Sequence, residues 1–259
     1  MSTKSVTTLP ESLVSASQAL KSVAQTTTPA AVYTFTLDSF RITNTRALHN
    51  DTDYVCTAVV VGQNPPITSA VQYMGNVDNG THEVNLSIPN VPVGPNDHSA
   101  FTYSIVNCGH GSRDQIESAL EKATAAAAAK LAQEWTAQAP TKSPAAAPIR
   151  KVGAGAFGWL AGKIEGIIFA DCDGVVAGGD CIFFPGEEAL ITQNGRVATF
   201  GPDSCPGTNS PVGCGSNSQY YVTWSVSAGP PAPTGGGSSI GGRAGGVGPT
   251  GGNPPHRLD

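Results

Sequence analysis

Tyr33-Thr34-Phe35-Thr36-Leu37-Asp38-Ser39-Phe40-Arg41-Ile42 carries an apolar side chain at every second position as far as Leu37, then resumes one residue out of step at Phe40 and Ile42. A period of two is that of a strand with one face on a core, and the slip reads as a bulge. The alternation recurs outward from this stretch. Val84, Leu86 and Ile88 repeat it after the turn signal Asn79-Gly80, and Phe101, Tyr103 and Ile105 repeat it again. Residues 54–61 form a dense β-branched run, and 69–74 read as a weaker strand. About five strands therefore precede residue 108, with no helix among them.

The period then changes. Ser112-Arg113-Asp114-Gln115 reads as a capping box that opens a helix. Ile116, Leu120, Ala123, Ala127, Leu131 and Trp135 make one apolar stripe at spacings of three and four. Pro140 ends that helix, and the Ala-Pro stretch 139–149 reads as an extended linker. A second helix is expected from about Ala154 to Ile168, with Phe157, Leu160, Ile164 and Ile168 on one face.

Strands return at Ile182-Phe183-Phe184. Ala189–Thr192 and Val197–Phe200 flank Asn194-Gly195, which predicts a hairpin. Tyr220, Val222, Trp224 and Val226 close the series. Eight or nine short strands point to a mainly β fold: an antiparallel β-sandwich of about eight strands over residues 31–228, with a helical hairpin inserted at about 112–169. The late strands are expected to complete sheets begun by the early ones, since half a set leaves edges open. Two domains split near residue 145 are the alternative. Residues 1–30, rich in Ser, Thr and Ala, read as a flexible N-terminal segment, and the Gly/Pro-rich 229–259 as a disordered tail.

With a net charge of −5 and 13% charged residues, the chain has no basic surface for a phosphate backbone, which excludes nucleic acid as a partner. No stretch reaches the length of a membrane span, and residues 1–20 lack the apolar core of a secretory leader. The six cysteines, two short-range pairs of them each nine residues apart, read as disulfides: Cys172–Cys181, Cys205–Cys214 and Cys56–Cys108. Disulfides imply an oxidising compartment, so an extracellular or particle-surface location is expected. No Cys-x-x-Cys occurs, which argues against zinc.

The chemistry concentrates in Asp171-Cys172-Asp173-Gly174-Val175-Val176-Ala177-Gly178-Gly179-Asp180-Cys181 and in Asp51-Thr52-Asp53. Calcium needs clustered oxygen ligands on turns, and Asp51, Asp53, Asp171, Asp173 and Asp180 could supply most of them. The closest basic residues in sequence are Arg46 and Lys163. The Asp-x-Asp spacing, together with the strand count, resembles the C2-type calcium-binding sandwiches, whose ligands are aspartates on two loops at one end. That resemblance implies one calcium at those loops. Asp180, beside a cysteine, departs from the pattern, as does the lack of a basic lipid-binding patch.

Cys108-Gly-His110-Gly-Ser112 brings a thiol, an imidazole and a hydroxyl close in sequence, but no Gly-x-Ser-x-Gly elbow occurs and Ser112 is a helix cap. The function expected is therefore non-enzymatic: a calcium-stabilised β-sandwich module that binds a protein or surface ligand, with self-association open. A particle or appendage subunit packed through the alanine helix is the alternative, and a metal-dependent hydrolase the second.

Overall fold

A strand that is apolar on one face needs a second layer to cover it. The computed structural model, which describes residues 30–47, 51–138, 149–152, 173–207 and 218–229, supplies that layer as two antiparallel sheets. The strands are β1 (Ala31–Asn44), β2 (Asp51–Val61), β3 (Ile67–Thr68), β4 (Gln72–Val77), β5 (Gly80–Val93), β6 (Ser99–Asn107), β7 (Ile149–Val152), β8 (Gly174–Phe183), β9 (Val197–Pro206) and β10 (Gln219–Ala228). One sheet runs β5-β1-β10-β9; the other runs β3-β2-β6-β8-β7, with β4 also paired to β2.

Both sheets join the two ends of the chain. β1 pairs with β10, setting Phe35 opposite Val226 and Leu37 opposite Trp224, and the expected bulge falls between Leu37 and Ser39. β6 pairs with β8, setting Phe101 opposite Cys181. The inward residues of the two sheets meet in an aromatic core. Phe35 stacks on Phe101 at 5.8 Å, Phe101 lies 5.0 Å from Trp224, and Phe200 stacks on Trp224 at 4.2 Å. Each ring buried in this way stabilises the fold by about 1.5–3 kcal/mol.

The long helix α1 (Arg113–Gln138) forms a third layer on the outer face of the β6 sheet. Ser112 Oγ accepts the Gln115 amide at 3.4 Å at its start. Ile116, Leu120, Ala123 and Leu131 of the expected stripe are buried, but Ala128 and Ala132 replace Ala127 as the later contacts. Five residues exceed one turn and a third, so the face drifts along the helix. Ala128, Leu131 and Ala132 pack against Ala58, Val60, Ala100, Ile182 and Phe184. Thr124 donates to Leu120 O and lies 3.2 Å from Ser104 Oγ, which settles two hydroxyls under the helix. Among the described residues no helix is long and apolar enough to cross a membrane.

Three expectations need correction, and three fall outside the described residues. The Asn194-Gly195 hairpin is not formed: Glu187–Ile191 is a short helix, α2, followed by a 3-10 turn at Gln193–Gly195. Glu187 accepts the Phe184 amide at 2.9 Å, starting a helical turn, and the left-handed Asn194 and Gly195 serve its exit. The glycine-rich stretch from Gly174 is not a loop but the buried strand β8. β7 falls at the end of the expected 139–149 linker and just beyond it, inside the span expected as the helical insertion. The helix expected at 154–168, the N-terminal segment and the tail lie outside the described residues.

Candidate functional site

The β1–β2 connection returns the chain across one end of the sandwich, and Asp51 anchors it. Its Oδ2 accepts the Arg46 amide and its Oδ1 the Ala47 amide, both at 2.8 Å. Two residues on, Asp53 points to the same inner face. Tyr220 reaches them from β10, its hydroxyl 2.7 Å from Asp51 Oδ2 and 2.9 Å from Asp53 Oδ2. All three side chains are buried.

A phenol has one proton, so it cannot serve two ionised carboxylates at once. Burial, then the charge of Asp51, pushes the Asp53 carboxyl well above the usual carboxylate range, with Tyr220 opposing. A protonated Asp53 completes the chain: Asp53 donates to the Tyr220 oxygen, and Tyr220 donates to Asp51. Burial and the two carboxylates raise the Tyr220 phenol well above its ordinary value, so it stays a donor. Asp53 Oδ1 has no hydrogen-bond partner.

Arg46 lies among these acids and is 1% exposed. Its Nη1 donates to Val175 O at 3.3 Å. Gly174 and Gly207 make room for it, since a Cβ on Gly174 would lie 3.1 Å from Nη2 and one on Gly207 3.3 Å from Nη1. Burial lowers the guanidinium pKa, and Asp51, Tyr220 and Asp173 oppose that. It remains a cation.

Asp173 is the third carboxylate of this end. Its Oδ1 accepts the Gly109 amide at 2.8 Å; its Oδ2 lies 3.2 Å from His110 Nδ1 and 3.5 Å from Cys108 Sγ. One carboxylate thus ties down the 108–112 loop, above which the His110 side chain is 51% exposed. Burial, then the charge of Asp173, pushes the Cys108 thiol up to about 12. The nucleophile in a catalytic cysteine is the thiolate. Cys108 is held as a neutral thiol that touches a carboxylate and a carbonyl.

Of the five expected calcium ligands, Asp51, Asp53 and Asp173 come together, Asp180 stands apart, and Asp171 lies outside the described residues. Asp180 sits opposite Thr102 and accepts its hydroxyl at 2.7 Å. Seven residues of strand put it about 23 Å from Asp173. There it borders a pocket of about 10 Å³, room for one water, with Thr102, Ser104 and Ala127. Among the described residues no group of three or more His, Cys, Asp or Glu is arranged to hold a metal ion. Among the described residues, the positive charge placed beside Asp51 and Asp173 is Arg46.

The Cys56–Cys108 disulfide is also absent. The register sets Cys56 opposite Ser104, four residues short of Cys108, a separation of about 13 Å along the strand. Cys56 is a buried free thiol beside Ser69, and its pKa is pushed up to about 11 by burial. Cys205 is also a buried free thiol, against the expected Cys205–Cys214 bridge, while Cys172, the expected partner of Cys181, lies outside the described residues.

A second buried polar group escaped the sequence reading. Asp203 Oδ2 accepts from both Tyr103 OH and Trp224 Nε1 at 3.1 Å, linking the two sheets through the core. The signal for it was Gly179: a Cβ there would lie 2.6 Å from the Tyr103 hydroxyl.

No family model matches the chain, and no curated protein is similar to it. Among solved structures, human GIVD cytosolic phospholipase A2, in complex with a methyl gamma-linolenyl fluorophosphonate inhibitor and terbium chloride, resembles 78% of the chain at 7% identity and a TM-score of 0.23. The chain covers 33% of that protein, about a third of its length. A likeness of that size carries no argument about activity.

Proposed function

We propose that this chain is a non-enzymatic β-sandwich recognition module, whose binding surface is the 108–112 loop at the acidic end. The observation that carries the reading is Asp173, which holds Gly109, His110 and Cys108 from beneath while the loop itself is exposed. A polar loop fixed on a rigid scaffold binds with little ordering cost. The ligand is a protein or surface group with hydrogen-bonding capacity for the His110 imidazole and for the amide of Gly111. Arg46 sets a positive charge beside Asp51 and Asp173, and with it the module holds its shape without calcium.

The particle-subunit reading depended on a free apolar helix stripe. In α1 that stripe is spent on the outer face of the sheet, which favours the recognition module. Light scattering on the purified full chain separates the two. A monomer is expected, and a large symmetric assembly would overturn the proposal.

A further inference from the structure

At the end of the sandwich away from Arg46, Gly186 in the left-handed region (φ 80°) turns the chain into α2. Five residues of helix then close over the start of β6. Both of its glutamates are buried. Glu187 Oε2 caps the Phe184 amide, and Glu188 Oε1 accepts the Ser99 hydroxyl at 2.5 Å. The segment ends at the buried Thr192, whose hydroxyl donates to Glu188 O at 2.7 Å, and its apolar anchoring is slight. Ile191 packs partly on the core, while Leu190 is 65% exposed.

The groups that face Glu188 are Ser99 from β6, Tyr33 from β1, Asp97 from the loop before β6, and Glu187 from its own helix. The charged ones, Glu187 and Asp97, are both acidic. His98 follows Asp97 in the same loop and responds to that aspartate. Arg196, beyond the 3-10 turn, is exposed. The titratable side chains of β10, Tyr220 and Tyr221, belong to its first residues, at the far end. A carboxylate ionised at this place would meet the Ser99 hydroxyl, its own backbone amide and two like charges, in a medium that penalises charge.

We propose that α2 is a latch worked by pH: it is closed while Glu188 is protonated against Ser99, and it opens off the end of β6 when Glu188 ionises. The segment is well suited to move, since a short helix with few buried apolar contacts opens at low free energy. Burial, aided by Glu187 and Asp97 and opposed by Ser99 and the Glu188 amide, raises Glu188 to about 7, which sets the range of the transition. Below the ordinary glutamate value the latch is fully favoured, and that advantage is lost as pH rises through the folded value.

Amide hydrogen exchange of residues 187–192 tests this, corrected for the intrinsic rate at each pH. With an open-state value near 4.5 and a closed-state value of about 7, the opening constant should rise about tenfold between pH 6 and pH 8. In Glu188→Gln, whose carbonyl can still accept from Ser99, the constant should be flat. In Ser99→Ala the rise should persist with its midpoint displaced to higher pH, because the donor that favours the ionised form is gone. A wild-type constant that does not change with pH, or a glutamine variant that changes as the wild type does, would overturn the latch. So would a Ser99→Ala midpoint that stays in place.

Discussion

Replacing Arg46 by Met removes the cation at the acidic end while keeping much of the side chain's apolar bulk. What remains is Asp51, held by two amides and Tyr220, and Asp173, held by Gly109 and facing His110, with the positive charge gone from between them. Removing one member of a buried ionic group typically costs about 3–5 kcal/mol, because a charge is left uncompensated in low dielectric. The lost Nη1 bond to Val175 O falls within that figure. Urea unfolding of wild type and Arg46→Met, with m-values checked for constancy, reads the deficit directly. A deficit below about 1 kcal/mol would refute the reasoning.

Other substitutions test single links. If Asp53 is the protonated member of its pair, Asp53→Asn should be neutral or stabilising at neutral pH, because the amide can donate to Tyr220 as the acid does. Asp51→Asn, which weakens two amide bonds and the partner of Arg46, should cost about 3–5 kcal/mol. Equal losses in denaturant unfolding would reverse the proton assignment. Gly179→Ala drives a methyl into the Tyr103 hydroxyl, 2.6 Å away, and should lower stability by about 1–3 kcal/mol. A thermal melt unchanged from wild type would contradict that contact. Cys108, with its thiol raised to about 12, should resist alkylation at neutral pH until the protein unfolds; rapid labelling of the native chain would reopen the catalytic reading.

The sandwich was legible because its strands declare themselves by period. Tyr33–Leu37, Phe101–Ile105 and Tyr220–Val226 alternate without ambiguity, and early strands pair with late ones as expected. Misreadings arose where a local signal competed with tertiary context. Asn194-Gly195 is a hairpin dipeptide, yet the Glu187 carboxylate on the Phe184 amide sets a helix first. Gly178 and Gly179 look like a loop until Tyr103 is seen to need the space beside Gly179. The acidic end was half visible. Asp51, Asp53 and Asp173 were found by their spacing, but Tyr220 lies 169 residues from Asp51 and looked like any core aromatic. Arg46 was noted as the closest basic residue to Asp51; what the linear chain hides is that β8 brings Val175 and Asp173 onto it from 129 and 127 positions away. The Cys56–Cys108 pairing failed for a related reason, since adjacency of strands fixes neither register nor the position of a residue beyond the strand end.

The central claim is that Arg46, not a bound ion, balances the carboxylates of the acidic end. The most direct measurement is the thermal unfolding of wild-type protein in millimolar calcium and in excess chelator. Equal melting temperatures are predicted. A ligand present at a hundred times its dissociation constant would add about 2.7 kcal/mol to the folded state, a rise of several degrees. Such a rise, abolished by Asp173→Asn, would contradict the account and restore Asp51, Asp53 and Asp173 as ligands.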